Sequence, residues 1–294
     1  MMSDFQHTIS KPIEIQGIGV HSGKESYLKL LPAKENHGIV FKRIDLKENN
    51  IIAANFDNVI DTTLCTVIGN PYGASVSTVE HLMSALWGCG IDNVIVEVDS
   101  AEVPVMDGSS LAFTNLIMEC GIKKQNAFRK ILKILKPIEL MVDDKKIEIL
   151  PSEDFIIDYT IQFASKAIGV QSFIFKENQT SFKEDISKAR TFGFMKDLAA
   201  LNKIGLGKGV NLSNSIGITD DGILNKEGLR YGDEFVRHKV LDCIGDLYLA
   251  GARIKGHVKA FKAGHALNNK LLRKLFANKD AYVFIEERKQ FYAA

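Results

Sequence analysis

Residues 238–246 read His-Lys-Val-Leu-Asp-Cys-Ile-Gly-Asp. On a helix each residue advances about 100°, so His238, Asp242 and Asp246 fall within roughly 80° of arc and project from successive turns. An imidazole and a carboxylate at this spacing can grip one Zn²⁺ if a third ligand arrives from elsewhere. Three protein ligands leave a fourth position for water, which is the catalytic rather than the structural pattern. A solvated helix face explains the same stripe, because Val236, Val240, Ile244, Leu247 and Tyr248 lie opposite His238.

Two other clusters weigh against that plainer reading. In Thr78-Val79-Glu80-His81-Leu82, an imidazole able to bind metal stands beside a carboxylate able to take a proton from a metal-activated water. The HExxH motif of zinc hydrolases uses the same pairing, but position 85 is Ala, so the remaining ligands must come from another segment. His238 and Asp242 are the natural donors. The alternative is structural: Glu80 as the third residue of a capping box under Ser77, and His81 as a core histidine. In Ala263-Gly264-His265, the imidazole sits on a strand-to-helix loop. It reads either as a capping or packing residue or as a general acid held by a carboxylate such as Asp246. Arg190-Thr191-Phe192 adds a hydroxyl beside an aromatic ring on a turn.

Something must carry these groups, and the chain is long enough for one large domain or two ordinary ones. Its apolar fraction of 46% is that of a globular core, and its formal net charge of +1 gives no electrostatic case for nucleic acid. Four cysteines without a paired spacing (Cys65, Cys89, Cys120, Cys243) suit a reducing cytoplasmic compartment. The first residues lack the features of a signal peptide, and no apolar run reaches the roughly 18 residues of a membrane span.

Strands are expected at 8–9, 13–15, 27–31, 39–41 and 94–98, and again at 131–138, 146–150, 155–163 and 258–261. Helices are expected at 77–86, 111–120, 181–189, 234–249 and 268–277, with 123–126 as a linker and 202–217 as a loop-rich insertion. Each half therefore runs strands, helix, strand, helix. That order predicts an α+β fold of two domains with similar layered sheet-and-helix architecture, 1–125 carrying Glu80 and His81 and 126–294 carrying His238, Asp242 and His265.

The blocks Gly17-Ile18-Gly19-Val20-His21-Ser22-Gly23-Lys24, Ser77-Thr78-Val79-Glu80-His81-Leu82 and Pro104-Val105-Met106-Asp107-Gly108-Ser109 occur in order with Gly90-Ile91-Asp92-Asn93 between the last two. Ser187-Lys188-Ala189-Arg190-Thr191-Phe192-Gly193-Phe194-Met195, Asp233-Glu234-Phe235-Val236-Arg237-His238-Lys239 and Gly264-His265-Ala266-Leu267-Asn268-Asn269 follow. With these blocks the chain resembles, nearly end to end, the UDP-3-O-acyl-N-acetylglucosamine deacetylase family, zinc amidases of lipid A synthesis.

The resemblance implies one Zn²⁺ per chain, with Fe²⁺ as the alternative, on His81, His238 and Asp242. It implies Glu80 as general base, His265 as the group that protonates the leaving amine, Asp246 as its partner, and Thr191 as an oxyanion donor. Lys239, Phe192 and Phe163 become substrate contacts, joined by Leu64 and Cys65. The active site would lie between the two domains. An insertion near 197–222, with Leu198, Leu206, Val210, Leu212 and Ile216, would form the acyl passage. The implied partner is acylated UDP-N-acetylglucosamine, met by a cytoplasmic monomer without stable membrane insertion, though transient contact at the inner membrane surface stays open. Two rivals remain: a zinc-stabilised scaffold with four protein ligands, and an enzyme of the same scaffold acting on another acylated amide. The chain after Asp280, and residues 164–166 after Phe163, depart from the family pattern.

Overall fold

A computed structural model describes residues 5–286. In the first half, strands β1 (Phe5–Ile9), β2 (Ile13–Ile18), β3 (Glu25–Pro32), β4 (Ile39–Arg43) and β5 (Ile51–Ala53) precede three short ones, β6 (Val59–Asp61), β7 (Val67–Gly69) and β8 (Ser75–Val76). Helix α1 (Glu80–Gly88), strand β9 (Val94–Val98) and helix α2 (Leu111–Cys120) complete it. The main sheet runs β2-β3-β9-β4-β5, antiparallel except for the β4–β9 pair. Alternate residues of β3, β4 and β9 are buried, as expected of a sheet with one face on the core.

The second half opens with β10 (Ile122–Phe128), β11 (Lys130–Ile134), β12 (Ile138–Val142), β13 (Lys145–Leu150), β14 (Phe155–Gln162) and β15 (Val170–Lys176). Then come β16 (Phe192–Phe194), α3 (Met195–Lys203), β17 (Ile216–Ile218), α4 (Glu234–Tyr248), β18 (Arg253–Phe261), α5 (His265–Ala277) and β19 (Tyr282–Glu286). Strand β18 organises the seven-stranded sheet. Its first residues pair in parallel with β11, and its later ones with β13 and β14. The α+β expectation is met. No helix among the described residues is long and apolar enough to cross a membrane.

The two halves meet where α1 packs on α4. Every residue of α4 except Arg237 and Lys239 is buried. The closest approach falls at Gly245, where a Cβ would stand 2.1 Å from the Glu80 carbonyl oxygen. Only glycine admits so close a backbone, and this approach sets the first turn of α1 beside the last third of α4.

Several expected elements differ. The helix at 77–86 begins only at Glu80, because Thr78 takes a left-handed φ of 57°. Ser77 instead donates to the Ala101 carbonyl, so the capping box does not form. The 123–126 linker is part of β10, which pairs antiparallel with β1 through Ile9↔Ile122 and Thr8↔Lys123. The single strand at 131–138 is two, separated at Pro137, which cannot donate to a sheet ladder. The helix at 181–189 is one wide turn, Phe182–Ile186. The closing helix starts at His265 rather than 268.

Candidate active site

His81 is the second residue of α1, while His238 and Asp242 lie one turn apart on α4. All three are buried, at 4%, 1% and 3% exposure, so the solvated-face reading of the α4 stripe is overturned. Asp242 Oδ1 lies 3.6 Å from His81 Nε2 and 3.4 Å from His238 Nε2. Ligand atoms about 2.0–2.1 Å from a tetrahedral metal stand roughly 3.3 Å from one another, close to both separations. Among the described residues these three form the one group able to hold a metal ion, with ligand atoms all within 4.8 Å.

The donor chemistry fits a cation. Asp242 Oδ1 and His81 Nδ1 are buried with no hydrogen-bond partner, and a carboxylate oxygen left bare in a protein interior is costly. His238 Nδ1 is committed to the Ala189 carbonyl at 3.1 Å, which turns Nε2 toward the cluster. Burial pushes His238 down to about 3, against the opposing pull of Asp242, so its ring is neutral and a lone pair is available. Burial would raise the Asp242 carboxyl. His238 and Lys239, whose Nζ donates to Oδ2 at 2.8 Å, outweigh that and hold it well below the usual range.

A second set of groups faces this cluster. Glu80 Oε2 accepts from the Thr66 N–H at 3.0 Å, which leaves Oε1 toward His265 Nε2 at 3.9 Å. Burial raises the Glu80 carboxyl, against the pull of His265 and His81. His265 Nδ1 is 2.8 Å from Asp246 Oδ2, and Asn268 donates to that same oxygen at 2.8 Å. Burial alone would lower His265. The Asp246 and Glu80 carboxylates outweigh it and hold the imidazole near 9, so it is protonated at neutral pH. One group is thus a carboxylate with a free oxygen and the other an imidazolium with a free N–H, both beside three inward-facing metal donors.

A cavity of about 340 Å³ opens from this point. Glu80, His81, Thr191, Phe192, Phe163, Leu64 and Lys239 are on its wall. Thr191 is pinned there by its N–H to Gly108 and its carbonyl to Ile216. Phe192 stands edge-on to Phe163 at 5.9 Å, with Lys239 Nζ 5.5 Å from its centroid. Leu198, Val210, Leu212 and Ile216 line the apolar part, joined by Met195 and Leu201 of α3.

Two expected residues fall elsewhere. Leu206 closes the turn after α3 through its N–H to Leu201 and is not on the wall. Cys65 is buried off the cavity, its thiol pushed far above the ordinary range by burial and by Glu80. Residues that sequence reasoning passed over include Thr66 and Asn268. Asn268 follows His265 by three positions and so shares its helix face, a signal the sequence did contain. Thr66 carried none beyond lying next to Leu64 and Cys65.

Fold and site together define an α+β protein with a candidate metal site, and a buried carboxylate and imidazole beside it, next to a largely apolar cavity. Comparison with known sequences makes this specific. The sequence model of the LpxC family, UDP-3-O-acyl N-acetylglycosamine deacetylase, matches residues 6–277. A UDP-3-O-acyl-N-acetylglucosamine deacetylase of Pasteurella multocida (strain Pm70) is 47% identical over 282 residues, 95% of this chain and 92% of its own. Those of Haemophilus influenzae (strain PittEE) and Geobacter sp. (strain M21) are each 46% identical, covering 97% and 99% of this chain and 95% of their own lengths. The chain belongs to this family of deacetylases.

Proposed function

We propose that the protein hydrolyses the N-acetyl amide of UDP-3-O-acyl-N-acetylglucosamine, releasing acetate, as a zinc-dependent step of lipid A biosynthesis. One observation carries this reading: the bare Asp242 Oδ1 lies between His81 and His238, while Asp242 Oδ2 lies 3.9 Å from His265 Nε2, which is itself 3.9 Å from Glu80 Oε1. The curated relatives bear the name of that deacetylase. His81, His238 and Asp242 would hold the metal, and the same donor set accepts Fe²⁺ as well as Zn²⁺. Bound there, Zn²⁺ supplies Lewis acidity toward an amide carbonyl and lowers the pKa of a water toward ~7.

The chain's own residues do the rest. Glu80 Oε1, the oxygen not held by Thr66, takes the proton of the attacking water. The Thr191 hydroxyl, on the wall beside His81, donates to the developing oxyanion, a contribution typically worth about 3 kcal/mol per donor. His265, held through Nδ1 by Asp246, delivers its Nε2 proton to the sugar nitrogen as acetate leaves. Lys239 faces the sugar and phosphate, and Phe163 and Phe192 pack on the sugar-nucleotide portion. The acyl chain lies along Met195, Leu198, Leu201 and Val210. Residues 1–125 contribute the base and one ligand, and 126–294 the remaining groups. The test is acetate release from the acylated UDP-sugar. Turnover on that substrate, and none on an N-acetyl sugar without the acyl chain, is the expected result. Equal turnover on both removes the substrate assignment.

A further inference from the structure

Thr66 uses three of its polar groups at once, and two of them end on carboxylates that the proposed reaction needs. It follows Leu64, a non-glycine residue at a φ of 62°, and Cys65, and precedes β7. Its backbone N–H donates to Glu80 Oε2 at 3.0 Å. Its hydroxyl donates to Asp246 Oδ1 at 2.6 Å, a contact between residues 180 positions apart. Its carbonyl accepts from Val79 N at 3.4 Å, one residue before α1. Thr66 is 1% exposed, so water does not compete for these bonds.

The geometry divides labour on each carboxylate. On Asp246, Thr66 takes Oδ1 while His265 and Asn268 share Oδ2. Without the hydroxyl, Oδ1 is a buried anionic oxygen with no donor, and the carboxylate can turn away from His265. On Glu80, the Thr66 N–H occupies Oε2 and leaves Oε1 toward His265 Nε2. The base comes from α1 and the acid's partner from α4. Besides the α1–α4 packing, Thr66 is the one residue among those described that hydrogen-bonds both carboxylates. We infer that Thr66 is a positioning residue that fixes the separation and orientation of Glu80 relative to the Asp246–His265 pair. The inference rests on the reading of those residues as base and acid.

The experiment compares Thr66→Val with Thr66→Ser, using Glu80→Gln and His265→Ala as references in the same assay. Valine keeps the shape and the backbone N–H but removes the hydroxyl. It is expected to lower kcat by about 10- to 100-fold, the range seen when a residue supporting an active-site group is lost. KM should stay within about twofold and one metal per chain should be retained. Serine should restore most of kcat. A second readout does not depend on turnover: in the metal-free protein, the proton NMR signal of His265 Nδ1–H should move in Thr66→Val and return in Thr66→Ser. If valine proves insoluble, the unaltered protein still decides, because a Thr66 hydroxyl proton protected from solvent exchange is expected. A freely exchanging one overturns the inference. So does a valine variant with wild-type kcat, or a serine variant no better than valine. If Glu80→Gln or His265→Ala retains activity, the role assignment fails instead, and the hydroxyl and Nδ1 signals still report on the placement.

Discussion

Glu80 and His265 stand 3.9 Å apart, and each holds its proton more tightly than the free side chain does. Burial raises the Glu80 carboxyl, and the surrounding carboxylates hold His265 near 9. In the proposed reaction Glu80 acts ionised and His265 protonated, so activity should fall on the acid side as Glu80 gains a proton. On the alkaline side it should fall as His265 loses its proton, near pH 9, giving a bell-shaped kcat/KM profile. Asp246→Asn removes a charge that raises His265. The alkaline limb should then move toward lower pH while the acid limb moves little, measurable in a pH-rate series. Glu80→Gln should lose about 10²- to 10⁴-fold in kcat with metal content unchanged. At this scale the sequence was partly legible. His81, His238, Asp242 and His265 were distinguishable by type and spacing, and Asp246 separated from the ligand set once His265 claimed it. The capping-box alternative for Glu80 could be settled only by the backbone of Thr78, whose positive φ no residue type announces. Thr66 was silent for a related reason: its partner lies 180 positions away.

Helix α4 illustrates what periodicity can and cannot report. Its apolar stripe and polar triplet were readable, but a polar face turned to water and one turned to a second polar helix have the same sequence signature. What distinguishes them is Gly245, whose missing side chain lets Glu80 come within contact. Gly245→Ala places a Cβ 2.1 Å from the Glu80 carbonyl oxygen, so the helices must part. Such overpacking should cost about 1–3 kcal/mol of stability and weaken metal binding, checked by denaturant titration and by metal competition. Helix α3 is the contrasting element. None of its residues is fully buried, yet Met195, Leu198 and Leu201 line the cavity. Leu198→Asp should therefore leave folding nearly intact and raise KM for a long-chain substrate more than for a short-chain one, a comparison steady-state kinetics can make. The 123–126 run failed as a linker because Lys and Asn suit both an exposed loop and the outward face of an edge strand. Its pairing with Phe5–Ile9 is set by a partner at the far end of the half.

For the whole molecule, His81 lies on α1 and His238 and Asp242 on α4, far apart in sequence, so the site exists only when these two helices are packed together. A metal bound there binds the native state alone, so it should stabilise the protein by about 2.7 kcal/mol at a hundredfold excess over Kd, visible as a lower Tm after chelation. The α+β class was legible from the order of strands and helices. The crossing role of β18 was not, because the pairing of one strand with three others is decided by packing across the sheet. The scaffold alternative requires a fourth protein ligand and a closed site, whereas the described residues supply three, with Glu80 and His265 beside them. The decisive measurement is acetate release from UDP-3-O-acyl-N-acetylglucosamine by protein stripped with chelator and then titrated with Zn²⁺. Activity should be absent in the stripped protein and rise linearly to a plateau at one Zn²⁺ per chain. Full turnover by the metal-free protein, or one tightly bound Zn²⁺ with no acetate released, would contradict the central claim.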